Sequence, residues 1–405
     1  MPSVIILLLY FFSGFLKTLL LFYNIELYFD LTALSAALLV LNTLYNIFIL
    51  RVKITKSQIN SLIMLLLFYS WIIISLTYTP SEKYSFIKTI NFATNIVAFS
   101  YIIFNKNLRI LTFLRLNIII TILFALWYIG ISSNIGSSSL NEVQLNVYRV
   151  FYLSISYLLG IIFLIISTNK NNIFSNKGND FILSALVLGI MLMIRGRGPL
   201  LFSLLFLGIY LVIKIYKTRY IKTVFKIKKI VRFSLTFVIF LVASFSIYIN
   251  NQKKINTLVS FTVGRVSLLF PKDGNIDKMG ESVTVRVDHF KKSIDLFNAD
   301  FFKSIFGYGI GSYGVITKGI DERSYPHNIF LEIIVELGLI GFIIFLYYLY
   351  YNFFSIKNKN YYISNFVILY IFLNMFKSGS LIDFRVNFIF FAILLIPTLR
   401  KEIAI

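Results

Sequence analysis

Apolar runs long enough to reach across a bilayer recur from one end of this chain to the other. A hydrocarbon core of about 30 Å takes ~20 apolar helical residues at about 1.5 Å each. Residues 61–76, 181–194, 233–249 and 386–396 are such runs or the middles of them. Of the 405 residues, 58% are apolar and only 14% charged, where soluble domains carry roughly a quarter charged residues. That balance excludes an ordinary cytosolic domain and a disordered chain. The absence of cysteine excludes a disulfide scaffold, a thiolate metal site and a cysteine nucleophile. The expected fold class is therefore an all-α polytopic membrane protein.

Twelve spans are expected, near 3–23, 31–50, 61–78, 89–104, 116–131, 150–167, 181–194, 199–213, 233–249, 328–350, 361–376 and 386–399. They divide the chain into nine membrane helices over 1–249, one large loop over 250–327 and three more helices over 328–405. The N-terminus opens directly into apolar sequence, with no basic n-region and no small-residue cleavage site. It reads as a retained first helix.

The formal net charge of +22 would suggest nucleic acid in a soluble protein. Here it reads as topology and contact with lipid headgroups, and no nucleic-acid partner is expected. The connections 51–60, 105–115, 168–180, 214–232, 353–360 and 400–405 hold 20 Lys and Arg. The short connections and span ends of the other side hold seven, Lys83, Lys88, Arg149, Arg195, Arg197, Lys377 and Arg385. Short cytoplasmic loops carry the positive excess, so both termini are expected inside. The stretch Lys214 to Arg232, with eight basic residues and no acidic one, reads as an anchor against anionic lipid. By parity the 250–327 loop lies outside the cytoplasm. It holds eleven basic and eight acidic residues and both histidines of the chain, His289 and His327.

Four stretches stand out as places for chemistry. Arg195-Gly196-Arg197-Gly198-Pro199 joins the seventh and eighth spans on the side where arginine is disfavoured. A guanidinium at full membrane depth costs roughly 2.5–3.5 kcal/mol on insertion scales, and a lipid-linked phosphate at headgroup level offsets it by bidentate pairing. Snorkelling, with Arg195 satisfying helix-end carbonyls, is the structural alternative. Tyr325-Pro326-His327-Asn328 enters the tenth span. His327, with an imidazole that is largely neutral near pH 7, suits a general base; Tyr325 and Asn328 beside it are expected substrate contacts. Glu332 and Glu336, four residues apart, share one helical face. If His327 is helical they sit roughly 140° and 180° around from it, so they are expected to pair with a buried base or hydroxyl instead.

Residues 285–290, Val-Arg-Val-Asp-His-Phe, open an expected amphipathic loop helix running to about Phe297. Arg286, Phe290, Ser293, Ile294 and Phe297 would share a face over the membrane or a cleft. Arg286 is expected to complete a cationic clamp, and His289 to be a solvated surface residue. Finally, residues 309–314 formally spell G-x-G-x-x-G, but no strand–helix–strand unit surrounds them. They read as a tight aromatic turn whose tyrosines stack on sugar. No D-x-D, HExxH or Walker motif is present, so neither metal nor cofactor is implied.

Taken together, these stretches resemble the bacterial O-antigen ligase/polymerase superfamily. PHNIFLEIIVELGLIGF resembles its His-Asn…Glu-x-Gly…Gly signature. RGRGPLL resembles its Ser-Arg-Gly helix end, with Gly196 replacing Ser. RVDHFKKSIDLF resembles its Arg-x-x-x-Trp loop helix, with Phe290 replacing Trp, and FGYGIGSYG its Phe-Gly-x-Gly-x-Gly turn. The matching stretches lie within about 190–345. The resemblance implies a metal-independent glycosyltransferase with a C-type-like membrane fold in the bacterial inner membrane. Its donor and acceptor would be glycans on undecaprenyl pyrophosphate, with a chain-length regulator as a further partner. His327 would deprotonate or orient the acceptor hydroxyl. Arg197 and Arg286 would neutralise the departing pyrophosphate, with Arg195 in support. Within the superfamily the expectation is an O-antigen polymerase. The alternatives are the ligase, which transfers the glycan to lipid A–core, and more remotely a transporter or flippase.

Overall fold

The computed structural model describes residues 2–134, 142–169, 173–174, 177–194, 196–219, 281–354 and 363–396. The elements among them are α1 (Pro2–Phe22), α2 (Leu31–Leu44, prolonged by a π turn Tyr45–Ile49), α3 (Lys56–Ser75), α4 (Lys83–Phe104) and α5 (Ile110–Asn134). There follow α6 (Glu142–Thr168), α7 (Lys177–Ile194), α8 (Arg197–Arg219), α9 (Glu281–Ala299), α10 (Phe301–Phe306) and α11 (Tyr313–Lys318). The chain then forms α12 (Ile329–Phe354), α13 (Asn365–Ser378), a 3-10 turn Leu381–Phe384 and α14 (Arg385–Leu394). No strand occurs among the described residues. The protein is an all-helical, multi-pass membrane protein.

Among the described residues, seven helices are long and apolar enough to cross a bilayer, α1 to α6 and α12, and shorter apolar helices lie over Gly178–Ile194, Gly198–Lys214 and Asn365–Lys377. The expected ninth span, 233–249, falls outside the described residues. Boundaries differ where caps decide them. α3 begins five residues before the apolar run, because Thr55 and Gln58 form a reciprocal capping box. Asp30 starts α2 by accepting from the Thr32 and Ala33 N–H groups at 2.7 and 3.0 Å, and it also pairs with Lys17.

Two compact units are present, Met1–Tyr210 with Ser293–Ile405, and Leu211–Lys292. In the first, α12 packs on α3, α14 on α4, α6 on α7 and α1 on α2. With 43 phenylalanines in the chain, the core is built from ring edges. Phe68 meets Phe345 at 5.2 Å between centroids, and Phe92 stands perpendicular to Phe388 at 5.5 Å. Such offset and edge-on pairs contribute about 0.5–1.5 kcal/mol each beyond area burial. Between helices bathed in lipid, packing of this kind replaces the hydrophobic drive.

α12 is not one continuous helix. At Gly338 the backbone turns to φ 67°, ψ −172°, a left-handed conformation that favours glycine. A Cβ there would lie 2.3 Å from the Ile305 carbonyl oxygen. The break frees carbonyls at membrane depth, where an unsatisfied one costs several kcal/mol. Each finds a donor from elsewhere: Tyr308 N–H donates to Val335 O at 2.9 Å, Gly309 N–H to Glu336 O at 2.8 Å, and Trp71 Nε1–H to Leu337 O at 2.9 Å. The glycine turn of 307–311 is therefore a backbone plug for a broken helix. Tyr313, at the start of α11, is fully buried, which corrects the expectation that this tyrosine stacks on sugar, and Tyr308 of the turn donates its hydroxyl to Leu296 O.

Candidate active site

His327 is the residue immediately before the cap of α12. Asn328 caps the helix: its Oδ1 accepts from Phe330 N–H at 2.9 Å and Leu331 N–H at 3.3 Å, and its carbonyl from Glu332 N–H. The Asn328 side-chain oxygen expected on substrate thus serves the helix. His327 itself is not helical, with φ +56°, a left-handed conformation costing of order 1–3 kcal/mol that persists only where the surroundings impose it. Because His327 is not helical, Glu332 and Glu336 do not stand at helical angles from it.

The strap from Gly319 to His327 that leads into α12 is fastened at three places. Asp321 reaches the start of α4. Its carboxylate accepts from Ser81 Oγ at 2.6 Å and from the N–H groups of Lys83, Glu82 and Tyr84 at 2.8, 2.9 and 3.4 Å. A negative charge at a helix N-terminus is favourable. Although burial raises its pKa, the Ser81 hydroxyl and these amides win, and Asp321 stays below the usual carboxylate range. Arg323 donates to both carboxylate oxygens of Asp383, in the 3-10 turn, at 3.0 and 2.9 Å. The Arg323 guanidinium also lies over the Tyr325 ring, 5.5 Å from its centroid. Tyr325 in turn packs on His327, 4.6 Å between ring centroids. Burial, with Asp383 nearby, pushes the Tyr325 phenol above its ordinary pKa, so it stays a neutral ring and a hydroxyl donor.

Below the strap, Glu332 and Glu336 meet Lys88 of α4. Lys88 Nζ donates to Glu332 Oε1 at 2.5 Å and to Glu336 Oε2 at 2.6 Å, with all three side chains at most 1% exposed. Glu332 also accepts from Ser380 Oγ and Leu381 N–H, each at 3.0 Å. Glu336 Oε2 accepts from Gly311 N–H at 2.9 Å, while its Oε1 has no partner. The cluster fastens α4, the glycine turn and the 3-10 turn to the first half of α12. This is the pairing with a buried base and a hydroxyl that the glutamate spacing led us to expect.

Arg197 is the first residue of α8; Arg195 lies outside the described residues. A Cβ at Gly196 would come within 2.0 Å of Ser156 Oγ, so α6 places a hydroxyl where a serine at 196 would have carried one. A Cβ at Gly198 would come within 1.5 Å of Lys377 Nζ, and Lys377 lies over the Phe202 ring at 5.8 Å. The last turn of α13 thus touches the first turn of α8. On its other side it touches the first turn of α12, where Phe376 stacks on Phe330 at 4.2 Å. One helix end brings the Arg197 turn and the His327 turn to the same end of the first unit.

Arg286 lies on α9 in the second unit. The expected solvated His289 is instead buried, 8% exposed, as is Ser293 one turn on, whereas Phe290 and Ile294 are exposed.

Sequence reasoning missed Lys88, Lys377, Asp321, Arg323 and Asp383 as parts of this region. For the two lysines the signal was their position, cations at span ends on the side where Lys and Arg are scarce. For the strap there was none, since its partners are 60 or more residues away.

Residues 182–346 match the family model described as O-antigen ligase, and no curated protein matches the chain. The matched stretch holds the Arg197 turn, the α9 helix, the glycine turn, the strap, and α12 from its start to two turns beyond the break. Over this stretch the chain is similar to that family.

Proposed function

We propose that this membrane enzyme is a metal-independent glycosyltransferase that polymerises undecaprenyl-pyrophosphate-linked repeat units into O-antigen or a related surface polysaccharide. The observation that carries the reading is His327, in a left-handed conformation on a strap tied by Asp321 and Arg323, at the end of the unit where α8 begins with Arg197. The His327 imidazole takes the proton of the acceptor hydroxyl as that oxygen attacks the anomeric carbon of the donor. The bond from that carbon to the diphosphate oxygen breaks, and negative charge grows on the leaving pyrophosphate. Arg197 neutralises it, with Arg286 assigned to the same role by its motif and Arg195 in support. Losing one such preorganised donor typically costs about 2.7–4 kcal/mol of barrier. The site faces outward in the inner membrane, where the lipid-linked glycan is presented.

The ligase is the second reading, favoured by the description of the matched family, O-antigen ligase. A surface-glycan gel of a deletion strain separates the two. A core bearing a single repeat unit, with the ladder restored by wild type, supports the polymerase. Bare core with long chains stranded on the carrier makes the protein the ligase. In either strain His327→Asn is the decisive variant, because asparagine tolerates the left-handed backbone and tests the imidazole alone. Full rescue by His327→Asn at normal membrane levels would remove His327 as the base.

A further inference from the structure

We propose that α10 is an interfacial membrane anchor, which seats Phe301, Phe302 and Phe306 among the acyl chains of the leaflet at the α3 C-terminal end of the bundle. The helix is only six residues long, FFKSIF, started by the Asp300 carboxylate on Lys303 N–H and stopped at Gly307. Its phenylalanines are 74%, 69% and 43% exposed. Three large rings left open on one short loop helix are not accounted for by a loop in water, where apolar patches signal a binding surface.

The depth of α10 identifies the occupant. The helix lies against the break in α12: Gly307 approaches Glu336 O and Gly338 N, and Gly338 approaches Ile305 O. Phe306 stacks on Trp71 at 6.2 Å, four residues before the end of the membrane-crossing helix α3. Tyr78, just beyond that end, donates its hydroxyl to Phe306 O at 2.7 Å. α10 is therefore level with the last turn of a spanning helix, in the company of Trp71, Tyr78 and Tyr308, the residue types that mark the membrane–water boundary. Both spans beside it present apolar residues outward, Leu67 and Ile74 on α3 and Leu339 and Ile343 on α12. The phenylalanines of α10 continue that lipid-facing surface. Lys303 lies over the Tyr78 and Tyr308 rings at 6.0 and 5.4 Å, which holds its ammonium at headgroup height, the arrangement of an amphipathic interfacial segment.

The chain has no cysteine, so Phe301→Cys and Phe302→Cys give single spin-label sites in the full protein in phosphatidylethanolamine/phosphatidylglycerol nanodiscs. Collision with oxygen against a water-soluble nickel chelate reads depth. Leu67→Cys serves as the lipid reference and Glu322→Cys, on an exposed turn, as the water reference. The expected oxygen-to-nickel ratio at 301 and 302 approaches that at 67 and is several-fold above that at 322. A ratio equal to that at 322 overturns the proposal by placing α10 in water. Low collision with both reagents overturns it too, by placing protein over the rings. Both substituted side chains are exposed, so the fold does not depend on them, and neither readout depends on the glycan chemistry.

Discussion

Two charged clusters hold the start of α12, and they are built on opposite terms. Lys88, Glu332 and Glu336 are sealed from solvent at close range, whereas Arg323 and Asp383 meet with about half of each side chain exposed. Charges in the first cannot be left alone without a large desolvation penalty. Those in the second fall back on water. The buried cluster therefore governs whether this end of the bundle forms, and the exposed pair governs where the strap, and with it His327, comes to rest.

The comparison breaks most visibly at Lys88. Lys88→Met leaves two buried carboxylates facing each other, and a loss of about 3–5 kcal/mol is expected, read as a collapse of membrane levels and of thermal stability in detergent. Glu336→Gln should be far milder, since Glu332 still pairs with Lys88, the amide oxygen in the place of Oε2 still accepts from Gly311 N–H and Lys88, and the amide nitrogen takes the place of Oε1, which had no partner. Equal losses in the two variants would refute the assignment of the lysine as the common tie.

Asp321→Asn comes next, at ~1 kcal/mol, the usual worth of a helix cap. The sign of its pH dependence follows from a folded-state pKa below the unfolded value. Its stabilisation is present above the unfolded carboxylate pKa and disappears as pH falls through the folded one. Melting curves across the acid range should show a smaller acid loss in Asp321→Asn than in wild type. His327→Gly relieves the left-handed strain and should leave stability unchanged or raise it by up to about 1 kcal/mol, while the glycan ladder disappears. A variant less stable than wild type would mean that the ring also helps to hold the strap.

The smallest expected effect on stability is at the exposed pair. Arg323→Gln should cost about 0.2–1 kcal/mol, and less in high salt, yet lower transfer activity more than that figure implies. If activity tracks stability instead, the strap is a structural tie and not a positioning device.

The membrane class and the apolar runs were legible because bilayer thickness acts on every span alike, and α1 to α8, α12 and α13 fall where those runs lie. His327 and the arginine turn were legible because polar residues at span ends are conspicuous. The break at Gly338 was not, since residues 329–354 read as one apolar run whether or not the helix is continuous. Nor was the union of Lys88 with Glu332, 244 residues away. Hydropathy periods report which face is buried and are silent on which distant side chain meets it. The last expected span shows the same blindness: ahead of α14, Arg385–Leu394, the chain makes the 3-10 turn that carries Asp383.

The break in α12 bears on how such an enzyme can be rebuilt. Two of its carbonyls are satisfied by N–H groups of the glycine turn and a third by Trp71 Nε1–H, so the loop and the membrane helix beneath it are spliced through two main-chain bonds that no side-chain substitution can supply. A graft that exchanges the loop at residue 328 with that of another protein would strand those carbonyls in hydrocarbon unless the incoming turn matched their register. Loop, broken helix and Trp71 behave as a single cassette. Exchange of glycan preference between relatives should succeed only when all three travel together.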